Sequence, residues 1–160
     1  MGNEAQFNSA CGKTGRLITA RIFPNNDVLK TIGEICIKHN IQYGEISTSI
    51  GSLRRISFNY VSTTTPKPGT GHTTHIEKEG PFGLLSGQGV ISPGDEPNKM
   101  NIHYHAVISR EDGVAIGGHI EEGTITLSTL DLVILEITGV KMVRTKDPVN
   151  GIVFTSFEEI

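Results

Sequence analysis

Tryptophan is absent from this 160-residue chain, and the aromatic share is only 6%. The core must therefore be aliphatic. The two cysteines, Cys11 and Cys36, are too few for a disulfide framework and lack the spacing of a thiolate metal site. No apolar run approaches the roughly 20 residues needed to cross a bilayer. The first residues lack the basic-then-apolar pattern of a secretion signal, so a reducing cytoplasm is the expected home and no membrane partner is expected. Positive charge is not in excess either. Against 14 Lys and Arg stand 17 Asp and Glu, for a net charge of -3 and a pI ≈ 6.1. That balance provides no general basic field for nucleic acid. The chain has no phosphate-binding glycine loop, no Cys-x-x-Cys and no Ser/His/Asp order with supporting glycines. It therefore names no catalytic residue.

What the sequence does have is histidine in one place. His103 and His105 are two apart in the alternating run from Met100 to Ser109, so both point to one side of a strand. Glu111-Asp112-Gly113 makes a three-residue hairpin loop with Gly113 in the left-handed position. That loop pairs Arg110 with Val114. Counting back, His105 faces His119 and His103 faces Glu121. Directly opposite residues share a face, with Cβ atoms about 4.5–5.5 Å apart. Two histidines alone would suit a solvated strand face. The third, placed opposite by an independent count, points to a metal site with an open coordination position. Glu121 can serve as a fourth ligand or orient an imidazole. A two-residue loop would put His119 on the other face.

The remaining chain reads as one domain of residues 16–160 behind a flexible tail of residues 1–15. Arg16 to Phe23 is a strand ended by Pro24. Asn25, Asn26 and Asp27 offer an N-cap, and Val28, Leu29, Ile32, Ile35 and Cys36 form the buried stripe of a helix running to about His39. Strands are expected over Ile41 to Ile50, Leu53 to Val61, Phe82 to Ser92 and within Thr124 to Thr138, with short ones at 140–145 and 151–157. Residues 62–71 read as a loop. One main flanking helix among hairpin-linked strands predicts an α+β fold with a mostly antiparallel sheet.

These stretches resemble the PPC domain family, shared by plants and prokaryotes and often labelled DNA-binding. The resemblance is carried by Arg16 to Leu29, Gly51-Ser52-Leu53, Glu79-Gly80-Pro81-Phe82, Leu85-Ser86-Gly87, His103 to Ser109 and Gly117-Gly118-His119-Ile120. It implies an antiparallel sheet flanked by helices, a homotrimer, and a divalent metal, zinc, held by His103, His105 and His119. Where similar sequences often carry Glu after Gly-Pro-Phe, this chain has Gly83. The plant proteins add a DNA-contacting hook, and no Arg-Gly-Arg-Pro segment is present here.

Other residues have plainer readings. His72 and His75 fit a solvated loop. Arg54, Arg55 and Lys67 are candidate contacts to an anion or DNA, and a salt bridge within the sheet explains either arginine equally well. Asp131 and Glu136 lie along an apolar strand and require partners there. Two functions follow. One is a regulatory homotrimer that binds DNA weakly and carries a structural metal. The other is a metal-dependent enzyme, or a protein that binds a small molecule, at the same three histidines.

Overall fold

The computed structural model describes residues 7–64, 71–146 and 153–160. The chain runs β1 (Lys13–Ile22), α1 (Val28–Lys38), β2 (Gly44–Thr64), β3 (Gly71–Pro93), β4 (Met100–Ser109), β5 (Ala115–Ile120), β6 (Ile125–Thr138), β7 (Val140–Lys146) and β8 (Val153–Glu159). Six strands form one sheet in the order β1-β6-β2-β3-β4-β5, and β7 pairs with β8 in a second. Every strand pairing is antiparallel. This is the expected mostly antiparallel sheet with one helix. The sheet also curls back on itself, because β5 pairs with β2 at Phe58–Ile120 and Asn59–His119.

The helix starts where its cap requires. Asp27 accepts a hydrogen bond from Lys30 N at 3.1 Å through one carboxylate oxygen and from Gly123 N at 2.6 Å through the other. The first bond satisfies a helix donor that has no partner in the turn before it, worth about 1 kcal/mol. The second ties the helix to the turn after β5. Val28, Ile32, Gly33 and Cys36 are its buried residues. Asn40, at φ 52°, takes the left-handed position that stops the helix.

Two expectations about strands are corrected. Ile41 to Ile50 and Leu53 to Val61 were expected as separate strands, but both lie along β2, which begins at Gly44 and runs straight through Gly51-Ser52. Gly51 pairs with Leu84 on one side and Leu130 on the other. A Cβ there would collide with the carbonyl oxygen of Thr129. The glycine permits close approach of β6 rather than making a turn. Of the loop expected over 62–71, residues 62–64 belong to β2 and Gly71 to β3, and residues 65–70 lie outside the described residues. His72 and His75 are strand residues, paired with Thr63 and Asn59.

Ile18, Ile22, Ile32, Ile46, Ile56, Ile91, Ile108 and Ile134 are all buried in one continuous core. Its largest fully buried side chain is Tyr104. The Tyr104 hydroxyl lies 2.5 Å from Ser49 Oγ, and Ser49 Oγ donates to the Gly87 carbonyl at 2.9 Å. Tyr104 is therefore the donor in the first bond. Burial pushes its hydroxyl pKa up to about 12. Gly87 makes room for the ring, for a Cβ there would overlap the hydroxyl.

The carboxylates of β6 have partners on β1. Arg21 holds Asp131 through two hydrogen bonds of 2.6 and 2.8 Å. Arg16 holds Glu136 through two side-chain bonds of 2.8 and 2.7 Å and one from its own backbone N–H. Order also begins before residue 16. β1 starts at Lys13, Asn8 is hydrogen-bonded to Phe157, and Cys11 N donates to Glu159.

Candidate metal centre

The hairpin of β4 and β5 closes as its loop dictates. Arg110 N donates to the Val114 carbonyl at 2.9 Å, and Gly113 adopts φ 79°. From that closure the ladder runs back through Ser109–Ala115 and Ile108–Ile116 to His105–His119. There it ends. The expected pairing of His103 with Glu121 does not form, because the chain after Ile120 leaves β4 and Glu121 N bonds to the Ser57 carbonyl of β2 at 2.8 Å.

The three imidazoles converge. His105 Nε2 lies 3.0 Å from His103 Nε2 and 3.3 Å from His119 Nδ1. Ring centroids are 4.9 to 5.1 Å apart. Nitrogens about 2.05 Å from a tetrahedral zinc would sit about 3.3 Å from one another. A single ring nitrogen offers one lone pair or one proton, so hydrogen bonding alone satisfies only one of the two contacts at His105 Nε2. A shared cation satisfies both. The donor set therefore fits a divalent ion of the zinc type. Partial desolvation, and then repulsion from the neighbouring imidazoles, lowers the pKa values of His103 and His105. The charge of Arg144 adds to the effect on His103. Neutral imidazole is the form that ligates.

Glu121 lies on the far side of His119, its Oε1 3.6 Å from Nε2, while Nδ1 points to the cluster. This suits an orienting partner better than a fourth ligand. Asn59 Nδ2 holds the same carboxylate oxygen at 2.5 Å, and Asn59 Oδ1 lies 3.0 Å from His75 Nδ1. His75 continues to Glu77 at 3.4 Å, and Arg55 donates to Glu77 at 2.6 Å. Arg55 is thus spent on a carboxylate whose pKa it lowers. Arg54 donates instead to Asn25 Oδ1 at 2.7 Å. Lys67 lies outside the described residues.

Sequence reading missed Asn59, whose role depends on two long-range pairings. It also missed the wall above the histidines. A pocket of about 620 Å³ beside His103 and His119 is lined by Asn101 and Ile102 of β4, Leu29 of the helix, and Arg144, Phe154 and Phe157 of β7 and β8. Arg144 donates to Asn101 Oδ1 at 3.0 Å.

The fold is shared widely. A plant- and prokaryote-conserved (PPC) protein from Pyrococcus horikoshii superposes with a TM-score of 0.76 at 24% identity, covering 96% of this chain and 99% of that one. A metal-containing protein from Archaeoglobus fulgidus gives 0.73 at 20% identity over 94% and 99%. A candidate DNA-binding protein from Bacteroides thetaiotaomicron gives 0.72 at 18% over 91% and 97%. At such identities these likenesses establish the fold alone. In sequence, the chain is 21% identical over 136 residues to a bifunctional protein GlmU from Synechococcus sp.; the match takes in 85% of this chain and only 19% of that protein's length. The sequence profile of the Plants and Prokaryotes Conserved (PCC) domain matches residues 9–138, most of the chain, and the protein belongs to that family.

Proposed function

We infer that this PCC-domain protein holds one divalent cation, zinc, at His103, His105 and His119, and presents the remaining coordination position to a small ligand. The observation that carries the reading is the meeting of three ring nitrogens on His105 Nε2, at 3.0 and 3.3 Å. The name of the Archaeoglobus protein, metal-containing, supports it. Three protein ligands leave room for water or substrate, and a bound zinc would supply Lewis acidity at that place. Around it, this chain's own groups have separable tasks. Glu121, steadied by Asn59, keeps His119 turned with Nδ1 inward. The loop of Gly113 sets the register that brings His119 opposite His105. Metal analysis after mild dialysis tests the proposal. One zinc per chain is expected, and a folded protein that takes up no zinc when supplied would refute it.

A regulatory DNA-binding role is the second reading, favoured by the name of the Bacteroides protein. The net charge of -3 argues that any such binding is weak and salt-sensitive. Assembly as a homotrimer belongs to both readings. It is supported by exposed apolar side chains on the outer face of β1, β6 and β2, set beside the Arg21–Asp131 pair. Leu17 faces Leu135, and Thr19 and Thr48 face Val133 from either side. Leu17 and Ile50 are 61% and 56% exposed, a costly state for residues that a second copy can cover. Mass measurement in solution decides this point.

A further inference from the structure

We propose that the pocket between the histidine cluster and the β7–β8 hairpin is a site for a small organic carboxylate with an apolar body, its carboxylate met by Arg144. The proposal deepens the metal reading and rests on it for the ligand's position beside the cation. Three observations carry it. The pocket, of about 620 Å³, is large enough for a ring-sized molecule and opens on His103 and His119. Arg144 stands on its wall, anchored through Nη1 to Asn101 Oδ1 at 3.0 Å, and no carboxylate among the described residues lies within ion-pair distance of it. A guanidinium held by a neutral amide keeps its charge and its other N–H groups for an incoming anion. Leu29, Ile102, Phe154 and Phe157 supply the apolar lining.

One carboxylate on this chain competes for that anion's place. Glu121 lines the same pocket, but its Oε1 is already engaged by Asn59 at 2.5 Å. Its charge would disfavour a second carboxylate nearby, so Arg144 and the cation must outweigh it. Phosphate would meet the same guanidinium. The apolar lining, however, offers nothing to a fully hydrated tetrahedral anion, and this favours a carboxylate carried on hydrocarbon. Arg144, Phe154 and Phe157 all lie beyond residues 9–138, the part matched by the family profile.

Calorimetric titration of the zinc-loaded protein with benzoate, benzamide and inorganic phosphate tests the assignment. Benzoate is expected to bind at least about 10-fold tighter than neutral benzamide and tighter than phosphate. Arg144→Gln is expected to weaken benzoate about 10-fold or more while zinc content stays at the wild-type value. Phe154→Ala is expected to weaken benzoate and leave acetate unchanged. Equal binding of benzoate by Arg144→Gln and wild type overturns the proposal, as does tighter binding of phosphate, or no carboxylate binding at all. If the protein takes up no zinc, the metal reading fails by itself. Benzoate binding to the metal-free protein then decides the pocket: sensitivity to Arg144→Gln supports it, and insensitivity or no binding overturns it.

Discussion

His105 and His119 stand directly opposite one another at the last rung of the β4–β5 ladder, with Nε2 of the first 3.3 Å from Nδ1 of the second. Sheet geometry sets the Cβ atoms close together, and the side-chain torsions turn the two ring nitrogens toward each other. Opposite residues on a shared face cannot avoid each other, and a like pair of bases there gains little unless something binds between them.

Removal of His105 should therefore be the most damaging change at the centre, since both short contacts run through its Nε2. His105→Ala is expected to lower zinc affinity on the order of 100-fold or more, read by competition with a chromophoric chelator. Circular dichroism should show the sheet intact.

Glu121 is expected to act at one remove. Glu121→Gln keeps the shape and removes the charge beside His119 Nε2. Zinc affinity is expected to fall about 10-fold with full stoichiometry retained, the usual scale for a partner that orients a ligand. Complete loss of zinc would instead identify Glu121 as a ligand.

Assembly as a homotrimer is expected to depend on the outer face of β1, β6 and β2. Light scattering is expected to give about three times the 17.3 kDa chain mass. Ile50→Asp should reduce it to the chain mass, because it removes an exposed apolar side chain and sets a second carboxylate beside Asp131. A wild-type monomer at micromolar concentration would refute the trimer.

Acid stability should trace to Glu136. The Arg16 side chain, and then its backbone N–H, hold the Glu136 pKa at about 2, below its ordinary 4.5. A lowered folded pKa gives stability that is present above 4.5 and lost as pH falls from 4.5 toward about 2. Glu136→Gln should cost about 1 kcal/mol near neutral pH, allowing for solvent at this surface pair. The gap from wild type should narrow as pH falls below 4.5 and close near pH 2. Thermal unfolding across a pH series measures it.

Any DNA binding is expected to be weak, independent of sequence, and lost as salt rises toward about 200 mM. Arg54→Ala should weaken it more than Arg55→Ala, because Arg55 is held by Glu77 at 2.6 Å. Gel shifts over a salt series would show this. Tight, sequence-specific binding at high salt would contradict it.

Some of this was legible in the sequence because it is local. The helix from Val28 follows from its apolar spacing and the Asp27 cap. The pairing of His105 with His119 follows from a three-residue loop, since a turn transmits register residue by residue along its own hairpin. That Asp131 and Glu136 need partners follows from the cost of burying a charge on an apolar strand, although the β1–β6 register had to show that Arg21 and Arg16 supply them. Only the tertiary structure decided the rest. Gly51 reads as a breaker in isolation, yet it admits β6 at close range. Glu121 was counted opposite His103, but β2 captured the chain one residue after Ile120. Asn59 sits between His75 and Glu121 through pairings with two different strands, and Arg144 reaches Asn101 across 43 positions. Such contacts arise when distant segments bury a common core, and their partners are fixed by packing rather than by spacing along the chain.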